Sequence, residues 1–256
     1  MTSSSQMVAT GFAALAALAL AATAQAAEIN VLSIPFKGPL EQIGSQFERE
    51  TGHKLVAKYA PSGPLRKQID AGEPFDVVLI FHDVVDELIK QGKVAPGTRV
   101  YIARAGLGLA VKRGAAKPDI QSADAFKRAL LAAKSIAYAA QGPSGAHLLG
   151  LLDRLGISQV IMPKLKPMEA GSLVVGPVAK GEVEMGIVSI PFIVAEPGVE
   201  LAGPLPRELQ DYVHYSSGIG HAAQDANTAS ALVRYFREAS SREILKSHGL
   251  EVQIPP

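Results

Sequence analysis

The stretch KLVAKYAPSGPLRKQIDAGEPFDVVLIF, Lys54 to Phe81, decides the fold. KLVAKYA reads as a strand. Leu65 and Ile69, four apart, place a helix after it. FDVVLIF, Phe75–Phe81, is the continuous apolar run of a parallel strand buried on both faces. Strand, helix and buried strand in this order are the repeating unit of a parallel α/β sheet.

The alternation continues outward. Glu28–Ile34 reads as a strand, and Leu40, Ile43 and Phe47 place a helix over Pro39–Thr51. Further helices are expected over Pro64–Ala71 and Val84–Gln91. YIARAGLGLAVKRG, from Tyr101, is a long β-rich stretch interrupted by two glycines. SIAYAA, VEMGIVSI and VHYSSGIG read as strands, AHLLGLLDRLG and the start of GSLVVGPVAKGE as helices, and Asn227–His248 as a helical tail. Two α/β units joined by β-rich stretches imply two lobes around a cleft.

Pro61-Ser62-Gly63-Pro64 stands where the strand ends and the helix begins. Serine there is either an N-cap or, with the free amides of the first turn, part of an anion site. Gly142-Pro143-Ser144-Gly145 repeats the arrangement after SIAYAA. Ligands of open parallel sheets lie beyond the carboxyl ends of the strands. Ser62, Gly63, Ser144 and Gly145, facing one another across a cleft, would cage a compact anion with amides and hydroxyls.

Composition narrows the alternatives. The 256 residues are 48% hydrophobic but only 5% aromatic, so the core is aliphatic. A net charge of +1 gives no reason to expect nucleic acid or an anionic membrane as partner. With no cysteine and no paired histidines, neither a thiolate nor a zinc site is expected, and no cofactor is implied. GFAALAALALAATAQA, ending in the Ala24-Gln25-Ala26 signature, reads as a secretory signal peptide cut after Ala26, although its n-region carries no Lys or Arg. The remaining chain is expected to be exported, a monomer with no membrane insertion.

LEQIGSQFERETG, YAPSGPLRKQIDAGEPFDVVLI, GLGLAVKRGAAKPDI, PSGAHLLGLLDRLGI and KGEVEMGIVSI, in that order, resemble the periplasmic molybdate-binding proteins of ABC transporters. The resemblance implies a type II periplasmic binding protein: two α/β lobes, a ligand cleft and two crossing strands. Lobe I would hold residues 27–103 and 213–256, and lobe II residues 104–212. A small anionic ligand and an ABC permease are the implied partners. The family holds its oxyanion with two serine hydroxyls, second-lobe amides and a tyrosine hydroxyl. On this chain the second serine matches Ser62, one amide matches Ser144, and a helix-start amide falls at Gly171 or Ser172. The first serine falls on Pro35, with Ser33 close by, and the tyrosine falls on Ser189.

Those two departures turn the expected ligand from molybdate toward a small organic polycarboxylate. Lys37, His82 and Arg104 are the cations available to it. A charge such as Arg104 inside an apolar strand needs a partner, and a guanidinium fork pairs a carboxylate bidentately. The competing readings are a solvated loop lysine, a helix-capping histidine and an arginine paired within the hinge. His147 either reaches the cleft or covers its own helix. The chain also resembles the aconitate isomerases of this branch. In such an enzyme His82 and Lys37 would be the acid–base candidates, since histidine titrates in the required range.

Overall fold

The computed structural model describes residues 26–34 and 36–252. The expected leader, apart from Ala26, and Pro35 lie outside the described residues. The elements run β1 (Glu28–Ser33), α1 (Lys37–Thr51), β2 (Lys54–Tyr59), α2 (Ser62–Asp70), β3 (Val77–Phe81), α3 (His82–Lys90) and β4 (Val100–Lys112). Then come α4 (Ala123–Ala132), β5 (Ile136–Ala139), α5 (Pro143–Arg154), α6 (Ser158–Ile161), β6 (Leu165–Met168), a 3-10 turn at Gly171–Leu173 and α7 (Val175–Lys180). The chain continues through β7 (Met185–Ser189), α8 (Ile190–Ala195), β8 (Val199–Pro204), β9 (Tyr212–Ile219), α9 (Ala226–Tyr235) and α10 (Ala239–Ser247).

The strands form one curled sheet in the order β2-β1-β3-β9-β4-β7-β5-β6, with β8 also on β4. β1, β2 and β3 are parallel, as are β5, β6 and β7. Between these two sets runs β4. Its first part, Val100–Gly106, pairs antiparallel with β9, and its second, Leu107–Val111, with β7. The sheet therefore has two halves joined through one shared strand.

Local chemistry sets each element. α1 buries Leu40, Ile43, Gly44 and Phe47 on one stripe and stops at Gly52, whose φ of 77° a β-carbon would disfavour. Val77–Ile80 of β3 are fully buried, as expected of a central parallel strand. Asp76, just before it, is a buried carboxylate that accepts from the amides of Asn30 and Gln224, both at 2.8 Å. It fastens β1 to the loop preceding α9.

Several boundaries differ from expectation. α2, α3 and α5 all start earlier, at Ser62, His82 and Pro143, so residues read as turn are the first residues of helices. α4, α8, β6 and β8 had no clear periodic signature. β6 is LKPM, with a proline and two exposed residues, and stands at the sheet edge where a missing ladder N–H is tolerated.

Candidate anion-binding site

Register defines the gap between the halves. β9 pairs Tyr215 with Phe81 at the end of β3 and with Ala103 of β4. Ser189, the end of β7, pairs with Leu107. The carboxyl ends of β3 and β7 thus approach each other along β4 from opposite sides. Four residues of strand, about 13 Å, separate the two levels.

Helix starts line this gap. α1, α2 and α3 begin at the ends of β1, β2 and β3, while α5 and α8 begin at the ends of β5 and β7. Their N-cap residues are Phe36, Pro61, Phe81, Gly142 and Ser189, and none makes a side-chain capping bond among the described residues. Two helices that start elsewhere are capped: Ser122 accepts from Ala125 N, and Asp225 from Asn227 N and Thr228 N. α6, α7 and α10 also start without a side-chain cap. Uncapped first turns leave amide donors and a partial positive charge facing the gap.

The two serine–glycine turns are built alike. In α2 the first intrahelical donor is Leu65, which bonds Pro61 O at 2.9 Å. Pro64 has no N–H, so Ser62 and Gly63 offer adjacent amides. In α5 the first intrahelical donor is Ala146, to Gly142 O at 3.3 Å, and Pro143 has no N–H. Ser144 and Gly145 are therefore the matching pair. The turns face each other: a β-carbon on Gly63 would lie 3.7 Å from Gln141 Oε1, beside the second turn. Gly145 is held by contact, since a β-carbon there would fall 1.7 Å from Ala139 O. Gly171 is packed against Phe192 and Val188 in the same way. Ser172 follows it, half-buried, in the 3-10 turn after β6.

Other expected residues are placed differently. Ser62 is not the N-cap of α2; Pro61 is, and Ser62 is the first helical residue. Ser33 is fully buried and its hydroxyl donates to Ile34 O at 2.8 Å. Lys37 is not in a loop but opens α1, where its side chain is 70% exposed and 3.7 Å from Glu41. His82 does open α3, but its Nδ1 is 2.8 Å from Ser216 Oγ. Its ring meets Tyr101, which in turn meets His214. Arg104 is bound within the protein: its Nε and Nη2 lie 2.9 and 2.7 Å from Glu251 Oε2, and its guanidinium sits 3.8 Å over the Tyr212 ring. His147 bonds Leu209 O at 2.8 Å and lies 3.2 Å from Asp211, tying α5 to the segment before β9.

Side chains alternate along β9, so His214 and Ser216 point to one face and Tyr215 to the other. His82 and Arg104 thus gather with His214 on one face of the crossing strands. Ser189 gathers with Tyr215 on the opposite one. Tyr215, which sequence reasoning missed, is buried between Phe36 and Phe81, with ring centroids 5.4 and 5.9 Å away. Burial pushes its hydroxyl up to about 12, partly offset by a hydrogen bond to Ser189. The signal available in sequence was only a tyrosine inside a crossing strand.

Two half-sheets with parallel carboxyl ends opposed across a gap, and uncapped helix starts on both sides, define the class of two-part α/β binding-protein folds. The comparisons identify which kind. The family described as bacterial extracellular solute-binding protein matches residues 29–251, and the chain belongs to it. The aconitate isomerase of a Pseudomonas species is 31% identical over 251 residues, covering 95% of each chain. The molybdate-binding protein of Azotobacter vinelandii is 33% identical over 250 residues, covering 94% of this chain and 96% of the other. The solved structure of an Azotobacter vinelandii periplasmic molybdate-binding protein superposes with a TM-score of 0.74 at 22% identity, covering 88% of this chain and all of the other. A molybdenum-transporter substrate-binding domain from Clostridium difficile gives 0.73 at 18%, with 90% and full coverage. Both support the type II fold. Among the described residues no helix is long and apolar enough to cross a membrane.

Proposed function

We propose that this protein receives a small organic polycarboxylate in the cleft between its half-sheets and delivers it to an ABC permease. The observation that carries the reading is the pair of matched turns, Ser62-Gly63 and Ser144-Gly145, facing each other with adjacent amides and no side-chain caps. Charge-assisted hydrogen bonds from amides to an anion are roughly twice as strong as neutral ones. Two facing pairs suit a ligand that carries negative charge on opposite sides.

The departures from the molybdate pattern favour a carbon acid. Pro35 brings neither hydroxyl nor N–H, and Ser189 stands in place of a tyrosine. Phe36 and Phe81, at the starts of α1 and α3, pack against Tyr215 and bring no polar side chain to the amides. The two-lobe division at residues 27–103, 104–212 and 213–256 belongs to the same proposal, as do export with cleavage after Ala26 and a monomeric state.

A second reading is favoured by the 31% identity to aconitate isomerase over 95% of both chains. In that case the cleft would move an allylic proton between the trans and cis acids. His82, at the start of α3, and Lys37 are the acid–base candidates. Incubation with trans-aconitate in deuterated water, followed by proton NMR, separates the readings. Appearance of the cis acid with vinyl and methylene exchange makes the protein an isomerase, and binding without exchange over hours makes it a receptor.

A further inference from the structure

Gln141 stands at the second serine–glycine turn, yet neither the amide pairs nor the expected ligand set uses it. The strand before it is pinned, since the Ala140 amide donates to Met168 O at 2.7 Å. Gly142 after it turns the chain at a φ of 98°, in the left-handed region that glycine tolerates, and caps α5. Held on both sides, the backbone fixes where the Gln141 side chain begins. The residue is exposed, and its side chain runs to the opposite turn. Its Oε1 lies 3.7 Å from the point where Gly63 would carry a β-carbon. The carboxamide thus belongs to the second half-sheet by its backbone and stands beside the amides of the first by its end group. Turning the amide over exchanges oxygen for nitrogen at that place without moving the group.

Backbone amides only donate, so the paired turns read negative charge and nothing finer. A carboxamide both donates and accepts. Toward a carboxylate, which only accepts, its oxygen has no use. Toward an alcohol, which carries a proton to give, the oxygen is a partner. We propose that Gln141 is a specificity-determining residue of the cleft: its carboxamide oxygen accepts from a hydroxyl on the ligand's carbon skeleton, so that hydroxylated polycarboxylates bind in preference to acids lacking the hydroxyl. The inference rests on the organic-acid reading above and narrows it to a class of acid. An acid without the hydroxyl leaves the carboxamide oxygen unpaired beside the carboxylates, and a site made to pair a hydroxyl discriminates against the analogue that lacks it.

The test is calorimetric titration of the exported protein with citrate and with tricarballylate, the same tricarboxylate with hydrogen in place of the hydroxyl, in the parent, Gln141→Ala and Gln141→Glu. The position is exposed, so unfolding midpoints should not change in either variant. In the parent, citrate is expected to bind about five- to tenfold more tightly, the worth of one neutral hydrogen bond. Gln141→Ala should remove that preference by weakening citrate alone, with tricarballylate held within about twofold. Gln141→Glu keeps the length and adds a negative charge beside the amides, so both acids should weaken at least about tenfold. If the parent binds tricarballylate as tightly as citrate, or if Gln141→Ala weakens both acids equally, the carboxamide reads no hydroxyl and this inference is overturned alone. If neither variant changes either affinity, Gln141 is a solvated turn residue and the inference is likewise overturned. If the parent binds neither acid, the organic-acid reading and this inference fall together.

Discussion

Replacing Ser62 by alanine separates two roles that look identical in sequence. A serine at a helix start usually caps it, and losing a cap costs about 1 kcal/mol. Here Pro61 is the N-cap and Ser62 is the first helical residue, half-buried at the gap. Its removal therefore takes no cap away, and alanine is the better helix former. Stability should change by less than about 0.5 kcal/mol, the range of substitutions that break no structural feature. Affinity should respond much more. A hydrogen bond to a charged ligand contributes about 1.5–3 kcal/mol, which corresponds to roughly ten- to 150-fold in dissociation constant. Urea unfolding of the unliganded protein and calorimetric titration of the same preparation give both numbers. A loss near 1 kcal/mol in stability with unchanged affinity would return Ser62 to a capping role and refute its place in the site.

Other expectations follow from the same geometry. Gly145→Ala would push a β-carbon into Ala139 O, so α5 must move off β5; binding should collapse and the unfolding midpoint fall by several degrees, read by calorimetry with and without ligand. Arg104→Ala leaves the Glu251 carboxylate without its guanidinium and uncovers the Tyr212 ring. The side chains are partly exposed, so a modest loss of stability is expected with little direct effect on the ligand, and a hundredfold affinity loss at unchanged stability would contradict the internal pairing. Asp76→Ala strips the amides of Asn30 and Gln224 of their acceptor and should destabilise by about 1–3 kcal/mol in urea titration. His214 has its pKa lowered from 6.5, first by burial and then by the charges of His82 and Arg104. Its unfolded form therefore takes up a proton more readily than its folded form. The stability it confers is complete above about pH 6.5 and is lost as pH falls through the lowered folded value; His214→Gln should flatten that acid limb, and an unchanged limb would contradict the assignment.

The fold was legible because its signals are periodic. FDVVLIF could only be a buried strand, Leu40, Ile43 and Phe47 could only be one face of a helix, and the order of such segments selects a parallel sheet. The paired turns were legible too, because proline and glycine punctuate strand ends. What sequence could not supply was partnership. Arg104 stood out as a costly charge, yet its partner Glu251 lies 147 residues away in the chain. His82 looked like a ligand contact, and Ser216 occupies its Nδ1 from a strand 134 residues later. Tyr215 carried no local signature, since the rings that bury it, Phe36 and Phe81, come from distant parts of the chain. The short helix α8 and the edge strand β6 escaped for a simpler reason: six and four residues are too few to show a period.

The central claim is that the cleft takes an organic acid by paired amides, and calorimetric titration of the exported protein with trans-aconitate, citrate and molybdate tests it most directly. The account predicts micromolar binding of at least one of the acids, weakened at least tenfold by Ser62→Ala, with molybdate bound more weakly. Tight molybdate binding with no heat from either acid would contradict it.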